Sequence, residues 1–95
     1  MDNIMNKRKY PSQLKDNLNC IGYNLREYRL DKRWSRQKLS DQLLFIGVDI
    51  SIQALYDIEI GKRTVLDYEL FAFAKVLEIS IDELFTDFEF KPDEA

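Results

Sequence analysis

Between Ser35 and Arg63 the chain gathers side chains whose chemistry is hydrogen bonding and anion contact rather than bond breaking. The Gln53 amide can donate to and accept from an adenine edge at once, and Ile52 beside it can pack on thymine methyls. Arg36 carries a planar fork that suits a phosphate or a guanine edge. Gln37, Ser51 and Tyr56 add neutral donors and acceptors; Tyr56 and Ile52 serve equally well in core packing or against a protein. Lys62 and Arg63 suit either phosphate or the negative end of a helix. Asp57 is awkward in this company, because a carboxylate repels phosphate and accepts only from base donors such as cytosine N4. Catalysis is poorly served. Histidine, the commonest general base and metal ligand, is missing. Cys20 is the single cysteine, which leaves no intramolecular disulfide and no thiol metal cluster. The expectation is no enzyme, no metal and no cofactor.

Two short capped helices must position these groups. Ser35 caps one and Ser51 the next, and Gly61 followed by two cations closes the second. Lys38 stands where a capping box needs Glu or Gln, so the Ser35 cap is half made. Leu39, Leu43 and Leu44 point inward from that helix, and an apolar connector from Phe45 to Ile50 leads to a helix running from Ser51 to about Ile60, with Leu55 and Ile58 buried. Two consecutive short helices of this kind describe a helix-turn-helix. Ahead of them, Leu14, Leu18, Ile21, Leu25 and Tyr28 recur at steps of four and three, which predicts a first helix from Ser12 or Leu14 to Asp31, or a shorter one capped by Asn19. Trp34 closes the core beside the turn. Behind them, Asp67 is expected to cap a fourth helix with Leu70, Phe73, Ala74 and Leu77 inside. Ser80 to Glu83 reads as a full capping box for a short fifth helix ending near Phe85. No strand pattern competes, so the fold expected is an all-α bundle of five helices.

Ninety-five residues allow one small domain. Residues 12–85 form it, between a flexible basic arm over 1–11 containing Lys7, Arg8 and Lys9 and an acidic-aromatic tail over 86–95. Charge is uneven. Residues 1–63 hold 12 Lys and Arg against 8 Asp and Glu, a net +4, and residues 64–95 hold 2 against 9, a net −7, giving −3 overall. A basic front and an acidic back suit a molecule that turns one face to phosphates. No apolar run is long enough for a membrane span, and Met1 to Tyr10 lacks the apolar stretch of a signal peptide, so a cytoplasmic location is expected.

Ile21 to Phe85 resembles the Cro/C1-type helix-turn-helix domain of the lambda-repressor-like, xenobiotic response element family. The matching set is Ile21-Gly22-x-x-Leu25-Arg26-x-x-Arg29, Ser35-x-x-x-Leu39-Ser40, Ile50-Ser51-x-x-x-Leu55-x-x-Ile58-Glu59-x-Gly61-Lys62-Arg63, Leu70-x-x-x-Ala74-Lys75-x-Leu77 and Ile79 to Leu84. About five extra residues separate Ser40 from Ile50, which resembles an extended-turn subgroup, and Val65 stands where the family usually has proline. The resemblance implies a transcriptional regulator, more often repressor than activator, that binds double-stranded DNA as a homodimer on a palindromic operator. It implies base and phosphate contacts from Arg36, Gln37, Ser51, Ile52, Gln53, Tyr56, Lys62 and Arg63. It also implies an inward ion pair between Arg29 and Glu59, with a surface position for either as the alternative. Other readings stay open: a protein-binding module of the same fold, such as an antirepressor or adaptor, or the antitoxin of a toxin–antitoxin pair. The basic arm either lies on DNA or is solvated. Phe85, Phe88 and Phe90 amid acids either cover the bundle or a dimer seam, or offer a tail to a protein partner.

Overall fold

Side-chain oxygens decide where the helices begin. The structure is a computed structural model and describes residues 14–92; the arm, and Ser12 as a candidate cap, lie outside the described residues. Helix α1 spans Gly22–Asp31. Asn19 Oδ1 accepts from the Ile21 and Gly22 N–H groups at 3.0 and 2.7 Å, so the shorter of the two expected helices forms. The start at Ser12 or Leu14 is corrected. Leu14 to Asn17 makes a single turn, closed by Asn17 N–H to Leu14 C=O at 2.9 Å. Lys15 then takes a positive φ of 57°, and the Leu18 N–H goes to the Gly61 carbonyl at 2.8 Å instead of along a helix.

Helix α2 spans Arg36–Phe45, with Ser35 Oγ accepting from the Lys38 N–H at 3.0 Å. Leu39 and Leu43 are fully buried, but Leu44 is exposed, contrary to its expected inward position. One residue rotates about 100° around a helix, which carries Leu44 off the face that Leu39 and Leu43 share. The extended turn is anchored at its end: Ile50 is buried, and Ser40 Oγ donates to its carbonyl at 2.7 Å.

Helix α3 spans Ile52–Glu59, with Ser51 Oγ accepting from Ala54 N–H at 3.1 Å. It ends in a Schellman motif. Gly61 sits at φ +81° and donates to Ile58 C=O at 3.1 Å, and Lys62 N–H donates to Asp57 C=O at 2.7 Å. Helix α4 spans Asp67–Leu77. Asp67 is its first helical residue and not its cap; Leu66 holds that place, and the Leu66 N–H is satisfied by Glu69 Oε1 at 2.9 Å.

The expected fifth α-helix is a 3-10 turn, Asp82–Phe85. The box itself forms, since Ser80 N–H donates to Glu83 Oε1 at 2.9 Å and Glu83 N–H to Ser80 Oγ at 3.3 Å. Its backbone bonds, however, reach back three residues, as from Leu84 N–H to Ile81 C=O. Thr86 then leaves helical geometry and returns its hydroxyl to Glu83 C=O at 2.8 Å, so no second turn can add. Among the described residues, four α-helices and this turn, with no strand, make an all-α domain. Phe73 lies at its centre among Ile21, Leu25, Leu39, Leu43, Leu55, Ile58 and Leu84, with Trp34 half-buried against this core. No helix of the described residues is long and apolar enough to cross a membrane.

Candidate nucleic-acid interface

Helix α3 has two faces of opposite character. Leu55, Ile58 and Glu59 are buried, while Ile52, Gln53 and Tyr56 are exposed on the other side. Gly22 lets α1 and α3 approach closely, since a Cβ there would run into the Ile58 carbonyl oxygen. Asn19 fastens the far end of α3: its Nδ2 donates to Ile58 C=O at 3.0 Å and to Arg63 C=O at 2.8 Å. The helix is thus held at its start by Ser51, at its end by Gly61 and Asn19, and along one face by the core.

One buried carboxylate joins three helices. Glu59 Oε2 accepts from Arg29 Nε at 2.8 Å, and Oε1 accepts from Arg29 Nη2 and from Arg36 Nε, each at 3.0 Å. The Glu59 side chain is 0 % exposed and Arg29 6 %, whereas Arg36 keeps 31 % of its side chain in solvent. Arg29 also donates from Nη1 to Trp34 C=O at 2.7 Å. The Arg36 guanidinium lies over the Tyr56 ring, 4.9 Å from its centroid. Two cations on one carboxylate leave a net positive charge, and only Arg36 can show it to solvent. Arg36 is therefore not a free fork. Its Nε is committed and its charge sits over the Tyr56 ring, which fixes its direction at the seam of α2 and α3.

Arg63 is committed further. Its Nη1 and Nη2 donate to Glu69 Oε1 and Oε2 at 3.0 and 2.9 Å, and Nη1 also reaches Thr64 C=O at 2.9 Å. The bonds to Glu69 push the Arg63 guanidinium above its ordinary range, against the opposing effect of burial. Burial raises the Glu69 carboxyl, yet the bonds from Arg63 and the Leu66 N–H and the nearby Arg63 charge outweigh it and hold the group below its ordinary value. Lys62, by contrast, is exposed. Gln53 Nε2 donates to Asp57 Oδ1 at 3.0 Å, and Gln37 Nε2 to Asp41 Oδ1 at 2.8 Å. Ser51 Oγ is occupied by its capping bond.

The structure therefore sets Arg36 against Tyr56 at the α2–α3 seam, with Ile52 and Gln53 exposed one turn before Tyr56 on α3 and Gln37 one residue on from Arg36. It turns Arg63 toward α4. Three positioning residues carry little or no mark of these roles in the sequence. Glu69 lies six residues from Arg63, a spacing off the helical period and across the turn that leads into α4, so no local pattern pairs them. Ser40 belongs to a family pattern without a stated task, and Asn19 is only an alternative cap. The signal for Asn19 is its place three residues before the glycine that opens a helix, the distance at which an Asn oxygen reaches the first free N–H groups. Among the described residues no cluster of three or more His, Cys, Asp or Glu is placed to hold a metal ion. Burial pushes the Cys20 thiol above its ordinary value, which keeps it from acting as a ready thiolate.

A capped helix pair whose second member is buried on one face and polar and exposed on the other defines a helix-turn-helix. The model of the helix-turn-helix family of Cro/C1 type matches residues 25–84, and the chain belongs to that family. Its domains are non-catalytic DNA-binding modules, and DNA is the partner of this one. No curated protein and no solved structure matches the chain significantly.

Proposed function

We propose that the protein is a dimeric transcriptional repressor that reads a palindromic operator with the outer face of α3. The observation that carries this reading is the exposure of Ile52, Gln53 and Tyr56 on a helix fixed at both ends and buried along its opposite face. Gln53 gives one amide hydrogen to Asp57 and keeps its carbonyl and second hydrogen, the pair that an adenine edge needs. Arg36, aimed by Glu59 and Tyr56, and Lys62 supply charge to the phosphates. Two copies would cover half-sites about one helical turn apart, or a multiple of it, and obstruct polymerase.

A second reading, the protein-binding module, draws on the bonding of Arg36 to Glu59 and of Arg63 to Glu69, which withdraws cations from phosphate. Titration of wild type, Gln53→Ala and Lys62→Ala against selected and scrambled duplexes at one salt concentration separates the two. On the repressor reading Gln53→Ala loses about 1–3 kcal/mol on the selected duplex and little on scrambled DNA, because a neutral amide releases few counterions. Lys62→Ala weakens both alike. If no selected duplex outcompetes scrambled DNA, the repressor reading fails.

A further inference from the structure

Helix α4 carries two apolar faces, and only one of them is filled by the core. Phe73, Ala74 and Leu77 point inward. Tyr68, Phe71 and Lys75 follow one another along a second stripe, where Phe71 is 67 % exposed and Tyr68 56 %; Ala72, 4 % exposed and part of the core, forms the low floor between them. The stripe borders a shallow hollow of about 320 Å³, walled on the other side by Ile46 and Val48 of the extended turn. Among the described residues that line it, Lys75 alone is charged. A stripe of two exposed aromatic rings beside an apolar hollow is a surface built for contact.

We infer that this face is where two copies of the chain pair, α4 against α4 in antiparallel register about a two-fold axis crossing between Phe71 and Ala72. The inference rests on the dimer proposed above and names its surface. The order of side chains favours this register. An isologous contact needs one patch to complement itself. Here Phe71 meets the partner copy at its low point, a large ring over the Ala72 floor, so the two rings interlock instead of colliding. Tyr68 of each copy meets the lysine at position 75 of the other, and the ammonium then faces an aromatic ring. Each pairing occurs twice. Tyr68 and Lys75 lie seven residues apart, about 10 Å along the helix, so neither can satisfy the other within one copy. In this register no like charges of the stripe stand opposite each other. With rings of about 150–250 Å² each, the exposed parts of Phe71 and Tyr68 offer roughly 200–300 Å², well below the roughly 800 Å² per partner of a standard interface. The dimer is accordingly weak in free solution and is completed on adjacent half-sites.

Sedimentation equilibrium of the full chain without DNA tests this. Wild type should show a concentration-dependent dimer with Kd on the order of 100 µM, within the weak range that sedimentation resolves. Phe71→Glu should raise Kd by about 30-fold or more, as loss of a central aromatic anchor does. Phe71 and Tyr68 are both exposed, so circular dichroism melts of their variants should match wild type. Tyr68→Lys sets like charges opposite each other and should weaken the dimer, and adding Lys75→Glu should restore it. A dimer unaltered in Phe71→Glu overturns this surface while leaving a dimeric repressor in place. Failure of the double variant to recover overturns the antiparallel register. Wild type that stays monomeric to about 1 mM, the weak end of measurable association, overturns the inference outright. The base-reading proposal is judged separately, by the Gln53→Ala titration.

Discussion

Replacing Glu59 by Ala removes the acceptor shared by Arg29 and Arg36 and leaves the Arg29 guanidinium enclosed without its counter-charge. Breaking a buried ion pair from one side costs about 3–5 kcal/mol, because the orphaned charge stays desolvated. The lower end applies here. Arg29 keeps its bond to Trp34 C=O, and Arg36, 31 % exposed, can turn to water. A loss of about 3 kcal/mol is a large part of the stability of a small domain. Glu69→Ala is the informative comparison. Glu69 is as deeply placed, but its partner Arg63 is 32 % exposed and regains water readily, so the expected loss is only about 1–2 kcal/mol. Urea unfolding of both variants measures the difference as midpoint shifts at unchanged slope. The double variant Arg29→Ala/Glu59→Ala removes both charges and should lose less than the two single variants together. A Glu59→Ala loss within about 0.5 kcal/mol of wild type, or smaller than that of Glu69→Ala, would refute the reasoning from exposure of the partner.

In a salt titration on scrambled DNA, Lys62→Ala should lower the slope by about 0.9 log units, one phosphate's share, whereas Arg63→Ala should leave it nearly unchanged because its fork is occupied by Glu69. The Glu69 carboxyl is held below its ordinary value of 4.5, so its contribution to stability is complete above that pH and is lost as the pH falls through the folded-state value. Acid unfolding curves of wild type and Glu69→Gln should therefore converge as the pH falls below about 4.5, with wild type the more stable above it. Gly61→Ala should destabilise by at least about 1 kcal/mol, since φ is +81° there and a Cβ would run into the Asn17 side chain; a melting temperature equal to wild type would contradict this.

The parts of the fold that were legible in the sequence are those set by short-range bonds. The caps at Ser35 and Ser51 and the Gly61 terminus each involve backbone groups three to five residues away, and each forms. Periodicity alone misleads at the first helix. Leu14 and Leu18 continue its apolar spacing, but Leu18 spends its N–H on the Gly61 carbonyl, a contact 43 residues distant that no local pattern announces. The fifth element shows a different limit. A Ser-x-x-Glu box starts an α-turn and a 3-10 turn with the same bonds, and the backbone beyond Phe85, where Thr86 turns away, decides between them. At the candidate site, residue types were visible and their partners were not. The sequence marks Arg36 and Arg63 as cations, and nothing in it says that one is seized by a residue 23 positions on and the other by a residue 6 positions on.

Those two captures shape the binding that is proposed. A chain of net charge −3 must approach a polyanion, and two of its acids, Glu59 and Glu69, are enclosed and paired with arginines. Pairing takes these acids off the surface, which removes repulsion, but it also takes Arg29 wholly, and Arg63 largely, out of phosphate contact. What remains on the outer face of α3 is an amide, an isoleucine, a tyrosine and the half-buried Asp57 carboxylate that accepts from Gln53, with cations only at the edges. Counterion release is the term that makes binding strong without regard to sequence, and it grows with the number of cations on phosphates. With few of them, binding to random DNA is weak on the proposed reading, with discrimination left to neutral hydrogen bonds and methyl contacts. A single half-site read this way would hold the protein poorly. Two half-sites read together, by copies joined even weakly through the α4 face proposed above, would convert the second contact into an intramolecular one and raise occupancy without any added charge.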